Sequence, residues 1–477
     1  MKDRKNYIGG KFLPAVNGGL LDVVAPATEK VYARIPDSDD QDIALAVKAA
    51  EEAFPSWSGL SAEQRADHLR KVADSIESCL DELAELESID TGKPVSLAKR
   101  VDIPRASANF RFFASAAEQF SSEAHIGSAM LNYTHRHPLG VVGCISPWNL
   151  PLYLLTWKIA PALAAGNTVV AKPSEVTPLT AARLGEICRD AGLPDGVLNI
   201  VHGRGTKAGQ ALVTNATVKA ISFTGGTATG RAIATLAAPM FKKLSLELGG
   251  KNPSLVFADA NFDEAVETSV RAAFTNQGEI CLCGSRIFVQ GDIYDEFKKA
   301  FVNKVKVLKV GNPSEKDTDI GALVSEEHRQ KVMNYVDLAI NEGGRILTGG
   351  KVPDQLARGY FYEPTVIEGL DAFCRTNTEE IFGPVVTIQP FFDEDEAVRY
   401  ANTTEYGLSA TVWTRDLDRA HRVSSRIKSG IVWINCWMMR DLRTPFGGVK
   451  NSGVGREGGW EAMRFFTEPQ NVCIKRN

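Results

Sequence analysis

The sequence predicts an α/β protein: a doubly wound parallel sheet, a second α/β unit after it and a small β arm. Three observations lead there. From Val141 to Ala238 short apolar strands alternate with helical patterns, as in repeated βαβ units on a parallel sheet. From Ser254 to Asn435 the alternation recurs more loosely, as a second α/β domain. Ahead of both, Ser122 to His137 turns small and polar with alternation, the pattern of a hairpin or extended arm. At 477 residues the chain is long enough for two or three domains and a large core.

Residues 40–120 read as helices. Asp42 to Phe54 has an alanine-rich 3.6-residue pattern, Ser61 opens a second helix with Glu63-Gln64 behind it, and Leu80 to Ile89 continues in kind. Thr91-Gly-Lys-Pro94 breaks the run, and a further helix follows from about Val101 to Glu118. Its Pro104 falls in the first turn, where proline is tolerated. The first strands are Val141 to Ser146, Asn167 to Lys172, Val197 to Val201 and Ala220 to Phe223. Their helices are Leu155 to Ala165, Pro178 to Ala191, Lys207 to Val213 and Gly230 to Ala238. In the second unit Ser254 to Phe257, Arg286 to Val289, Val385 to Pro390, Ala410 to Trp413 and Ile431 to Asn435 read as strands. Asp292 to Lys306 and Glu326 to Glu342 are helices between them.

Composition excludes several classes. A net charge of −4, with no run of five or six basic residues, argues against nucleic-acid binding. The first twenty residues have no long apolar core, so no signal peptide is read. The most apolar segment, Leu150 to Gly166, contains Lys158 and two prolines and is too short to span a membrane. Eight scattered cysteines make no disulfide framework, and a cytoplasmic location is expected. His135 and His137 would share one face of a strand, but further ligands are missing, so no metal site is predicted.

Two stretches carry nucleophile chemistry. Phe274-Thr-Asn-Gln-Gly-Glu-Ile-Cys-Leu-Cys-Gly-Ser-Arg286 sets Cys281 in a short loop among small and polar residues, between an apolar helix and a strand. A free thiol there is either an intrinsically strong nucleophile or an inert buried cysteine. Leu244-Ser-Leu-Glu-Leu-Gly-Gly-Lys-Asn-Pro253 interrupts an alternating apolar run with Glu247 and two glycines, suited to a movable general base. Ser146-Pro-Trp-Asn-Leu-Pro151 ends the first strand, where ligands of such sheets gather. Asn149 there is either a turn residue between prolines or an oxyanion donor worth about 3 kcal/mol.

Together these stretches resemble the aldehyde dehydrogenase family. The resemblance implies a Rossmann-type doubly wound sheet, a second α/β catalytic domain and a small β oligomerisation arm. The corresponding boundaries are 1–120 and 138–246 for an NAD-binding domain, 247–447 for the catalytic domain, and 121–137 with 460–477 for the arm. It implies Cys281 as nucleophile, Glu247 as base for the deacylating water, and Asn149 with the Cys281 N–H as oxyanion hole. Cys283 is expected to line the pocket or be structural.

The cofactor implied is NAD. Phe223-Thr-Gly-Gly-Thr-Ala-Thr-Gly230 is a strand end, a glycine turn and a helix start that could receive a phosphate, though its spacing is not the ordinary dinucleotide fingerprint. Gly225, Gly226 and Gly230 are its family counterparts, with Ser146 and Trp148 beside them. Lys172 and Glu175, after the second strand, match ribose-binding positions, and a carboxylate there disfavours a 2′-phosphate. Glu380 and Phe382, in Thr378-Glu-Glu-Ile-Phe-Gly-Pro384, match the positions that hold the nicotinamide ribose and ring.

For the substrate, a carboxylate-bearing semialdehyde is implied. Arg105 and Arg443 sit where the family usually has neutral tunnel residues, with Trp157 and Phe446 as aromatic lining. Helical spacing puts Arg105, Asn109 and Phe112 on one face. Phe110 to Ala114, Pro147 to Pro161 and Asn276 to Cys283 are similar to the subgroup that oxidises 2-aminomuconate 6-semialdehyde in tryptophan and kynurenine breakdown. Leu150, often phenylalanine in relatives, leaves more room beside the aldehyde. Enzymes for 2-hydroxymuconate semialdehyde are close cousins that these residues do not separate, and a broad aldehyde dehydrogenase is the further alternative.

Other classes fit less well. A coenzyme A-acylating enzyme would not need Glu247, and a thiol hydrolase would need a histidine, which is missing near these motifs. A non-catalytic scaffold would not retain Asn149, Glu247 and Cys281 together. A homodimer or homotetramer is expected, the arm and the last strand, Asn471 to Ile474, offering edges for a partner.

Overall fold

The computed structural model describes residues 2–356 and 358–476. Its centre is an eight-stranded sheet whose parallel strands stand in the order Lys243–Glu247, Ala220–Thr224, Val141–Ile145, Thr168–Lys172, Leu198–Ile200. Strand order therefore reverses between Val141–Ile145 and Ala220–Thr224, and a crevice opens beyond their carboxyl ends. Strands Val141–Ile145, Thr168–Lys172 and Ala220–Thr224 are buried along their full length, as a sheet with helices on both faces requires. Antiparallel strands close the edges: Asn6–Ile8 and Lys11–Leu13 at one side, Gly453–Val454 at the other.

A second sheet of seven strands runs Arg345–Thr348, Thr365–Glu368, Val385–Phe391, Arg286–Gln290, Pro253–Val256, Ser409–Trp413, Ile431–Ile434. It is parallel except for Arg345–Thr348. The arm is a three-stranded antiparallel sheet in which Met130–Pro138 pairs with both Ala124–Ile126 and Thr467–Lys475. Residues 460–465, inside the stretch expected in the arm, belong instead to the helix Gly459–Phe465. His135 and His137 do share a face, their rings 4.1 Å apart, and His137 Nε2 meets Gln470 Oε1 at 2.9 Å.

The N-terminal strands were not legible beforehand. Lys2–Asp3, Leu20–Ala25 and Lys30–Pro36 form a separate small sheet, short and partly exposed, so their alternation is weak. Helix Pro151–Ala164 begins four residues earlier than its pattern predicts, with proline as its first residue. Every residue of it is buried, which is why its sequence is apolar all round.

Candidate active site

Cys281 lies on the loop between helix Phe262–Phe274 and strand Arg286–Gln290. Asn276, Gln277 and Gly278 pass successively through the left-handed region, at φ 54°, 56° and 72°. Gly278 has no alternative, because a Cβ would stand 2.2 Å from Gly383 O. Side chains then fix the loop. Asn252 Nδ2 donates to Cys281 O at 2.7 Å and to Cys283 O at 2.9 Å, and Trp437 Nε1 donates to Leu282 O at 2.9 Å. Burial pushes the Cys281 thiol well up, the charges of Glu247 and Glu380 push it further, and Arg440 opposes them. Cys283 is buried and lines a small cavity together with Glu380 and Phe382.

Glu247 ends strand Lys243–Glu247 and is 3% exposed, with neither carboxyl oxygen hydrogen-bonded. Gly447 makes the room, since a Cβ there would be 2.6 Å from Glu247 Oε1. Burial, then the neighbouring Glu457 charge, raise the Glu247 carboxyl well above the usual range, and Lys158 works against them. Lys158 Nζ is 2.6 Å from Glu457 Oε1, and Ser222 Oγ reaches the same oxygen at 3.2 Å. Phe446 and Glu457 exchange both main-chain hydrogen bonds at 2.7 Å, so the Phe446 ring and this acid share one support. Asn149 is buried and donates from Nδ2 to Glu279 O at 2.9 Å, tying it to the residue two before Cys281.

The crevice of the first sheet forms a cleft of about 670 Å³. Ser146, Trp148, Lys172, Glu175, Gly225 and Gly226 line it. It continues into a space of about 230 Å³ that adds Asn149, Cys281, Glu380 and Phe382. Lys172 Nζ holds Glu175 Oε2 at 2.6 Å, while Gly205 N–H donates to the other oxygen at 3.1 Å. Gly226 N-caps helix Thr227–Ala237, and a Cβ on it would meet nothing within 4 Å, leaving an open helix N-terminus. Gly230 lets that helix seat on Leu248, which a Cβ would meet at 2.5 Å. Ser146 Oγ and Thr224 Oγ1 are buried without partners among the described residues. Orphaned hydroxyls around an elongated cleft beside a helix N-terminus fit a phosphate-bearing dinucleotide. Glu380 Oε1 accepts from Gly250 N at 2.8 Å, and Phe382 is held at φ 64°.

A histidine stands here after all. His328, on helix Glu326–Asn341, packs edge-on against Trp148 with ring centres 5.1 Å apart, and its Nε2 donates to Phe382 O at 2.6 Å. Burial pushes it down to about 4, so it is neutral, and its bonding supports the Phe382 turn rather than a thiol. It lies nearly fifty residues from Cys281 in sequence, which hid it.

The substrate side brings Arg105 and Trp157 together but not Arg443. Arg443 is a correction: its side chain is 81% exposed and turned to Asp441, 2.6 Å away. Arg440 occupies the expected place. Its guanidinium lies 4.0 Å over the Phe446 ring and 5.4 Å from that of Trp157, and its Nη1 donates to Tyr153 OH at 2.5 Å. Arg105 stacks 5.4 Å from Tyr153 and 5.5 Å from Trp157, and its buried Nε and Nη2 have no partner. Asn109 does not join it; its Nδ2 is spent on Tyr153 O and Thr156 Oγ1, both at 3.1 Å. The segment 435–446 has no helical or strand period, and Asn435 and Met438 have positive φ, so spacing could not tell which arginine turns inward.

The model of the aldehyde dehydrogenase family matches residues 13–472. The chain is 52% identical over 480 residues to the 2-aminomuconic semialdehyde dehydrogenase of Danio rerio, covering 99% of this chain and 98% of that one. It is 47% identical over 485 residues to the 2-hydroxymuconic semialdehyde dehydrogenase of Pseudomonas sp. (strain CF600), covering 100% of each. The crystal structure of PnpE in complex with nicotinamide adenine dinucleotide superposes with a TM-score of 0.97 at 45% identity, covering 99% of this chain and 97% of that one.

Proposed function

The chain belongs to the aldehyde dehydrogenase family, and from that premise we propose that it oxidises a carboxylate-bearing semialdehyde with NAD. The substrate is 2-aminomuconate 6-semialdehyde, with 2-hydroxymuconate semialdehyde as the alternative, in keeping with the relatives of both names. One observation carries the substrate class: two arginines, Arg105 and Arg440, stack on the rings of Tyr153, Trp157 and Phe446, which we take as the lining of a substrate tunnel, and among the described residues neither pairs with a carboxylate. Half-buried guanidinium groups without a counter-charge are costly, and an anionic substrate supplies one.

Cys281 Sγ attacks the aldehyde carbon after losing its proton to Glu247, the unpartnered carboxyl whose proton affinity burial has raised. The second N–H of Asn149 Nδ2 and the Cys281 N–H hold the oxyanion. Bound NAD supplies the hydride acceptor that allows the thioester to form. Glu247 passes that proton on toward Glu457 and Lys158, then takes one from water, which attacks the thioester carbonyl and releases the acid, and returns it to the departing Cys281 thiolate. Glu457 and Lys158 stand in contact with each other, and the charges of both act on Glu247. Lys172 and Glu175 hold the adenosine ribose, Glu380 the nicotinamide ribose, and the Gly225–Gly226 turn the pyrophosphate.

A free thiol nucleophile fits a reducing, cytoplasmic setting. Among the described residues no helix is long and apolar enough to cross a membrane. The exposed edge Ala124–Ile126 is where a second copy would dock in a dimer or tetramer.

NADH formation tests the reading, with 2-hydroxymuconate semialdehyde beside benzaldehyde. Loss of one charged hydrogen-bond partner of the carboxylate is worth about 2–3 kcal/mol, so Arg105→Ala and Arg440→Ala each cost roughly 30–150-fold in kcat/KM on the anionic aldehyde only. Equal turnover of both aldehydes by all three proteins would overturn the substrate class.

A further inference from the structure

Asn149 is gripped through its main-chain carbonyl by a charge cluster that the chemistry above does not use. Lys93 Nζ lies 3.0 Å from Asn149 O and 3.0 Å from Asp102 Oδ1, with Glu87 Oε1 at 4.0 Å. The Lys93, Asp102 and Glu87 side chains are all wholly buried, and Glu87 Oε2 and Asp102 Oδ2 have no partner. Such a cluster is weak evidence for stability, because well-packed apolar residues would serve folding as well. Its connections are what is unusual. Asp102 is the residue from which helix Ile103–Gln119 starts, and Arg105 is one turn further along. Asn149 O also accepts from Asn276 Nδ2 at 3.2 Å, in the left-handed turn that leads to Cys281. Lys93 itself is delivered by Gly92, at φ 80°, where a Cβ would strike Ala322 O at 2.5 Å.

We infer that Lys93, clamped by Asp102, is a positioning residue for the oxyanion site, holding Asn149 in register with Arg105 on the one side and the Cys281 turn on the other. The inference rests on Asn149 being the oxyanion donor. Since it acts through Asn149, its effect disappears when Asn149 has no amide to position.

A double-mutant cycle tests this on the full-length enzyme. Lys93→Met, Asn149→Ala and the double variant are compared by the NADH burst rate constant with benzaldehyde, where Arg105 plays no part. Asn149→Ala is expected to slow the burst about 10²–10³-fold. Lys93→Met is expected to slow it at least about tenfold in the wild-type background and less than about twofold in the Asn149→Ala background, with NADH affinity unchanged and partial recovery in Lys93→Arg. Full losses that simply multiply, or a wild-type burst in folded Lys93→Met, overturn the inference and leave the oxyanion reading standing. An unaltered burst in Asn149→Ala removes both. Should Lys93→Met fail to fold, the isosteric Asp102→Asn enters the same cycle with the same deciding comparison, its expected loss being about threefold.

Discussion

The cofactor cleft and the proposed substrate tunnel are built differently. Most of the cleft comes from backbone just beyond strand ends: Ser146 and Trp148 after Val141–Ile145, Lys172 closing Thr168–Lys172, Gly225 and Gly226 after Ala220–Thr224. Strand order reverses there, so the fold itself opens the crevice and supplies a helix N-terminus. The tunnel instead collects side chains from helices Ile103–Gln119 and Pro151–Ala164 and the irregular stretch around Arg440 and Phe446. Two charges stacked on aromatic faces are its proposed means of specificity. Cofactor recognition thus follows from topology, whereas substrate recognition can change by a few side chains without touching the sheet.

That contrast can be broken from either side. Glu247, where the two regions join, has the largest effect: Glu247→Gln should slow both the NADH burst and steady turnover, about 10²–10⁴-fold, seen by stopped-flow and steady-state rates. On the tunnel side, Arg440→Ala should erase the preference for the anionic aldehyde, losing roughly 30–150-fold there while leaving benzaldehyde and NADH affinity alone. On the cleft side, Glu175→Gln should weaken NADH binding about tenfold by fluorescence titration, with aldehyde preference intact.

A subtler test uses pH. Glu457 raises the Glu247 carboxyl, so removing that charge with Glu457→Gln lowers the pH at which Glu247 gives up its proton. The acid limb of kcat should move to lower pH; a move to higher pH, or none, would mean that Glu247 is not the titrating base. The smallest effect belongs to Arg443→Ala. Its exposed guanidinium pairs with Asp441, so kcat/KM for either aldehyde should stay within about twofold of wild type.

Much of the fold was readable because βαβ units write their period locally, strand by strand. Asn149, Glu247 and Cys281 stood out for the same reason, each embedded in a short motif whose glycines or prolines constrain the turn. Arg440 was missed in favour of Arg443 because both lie in one irregular segment where no periodicity assigns a face. His328 and the Lys93 cluster were missed because their partners lie tens of residues away: Phe382 for the first, Asn149 for the second.

By itself, then, the order of residues determined the parallel sheets, the nucleophile loop and the chemical types gathered at the strand ends. Those depend on hydrophobic period and turn geometry, which act over a few residues. Only the tertiary structure decided which arginine turns into the tunnel, that Lys158 and Glu457 meet beside Glu247, and that Lys93 grips Asn149. Burial from several directions at once sets those pairings, because an ionised group taken out of water accepts only the partner that the packed chain brings within hydrogen-bonding distance.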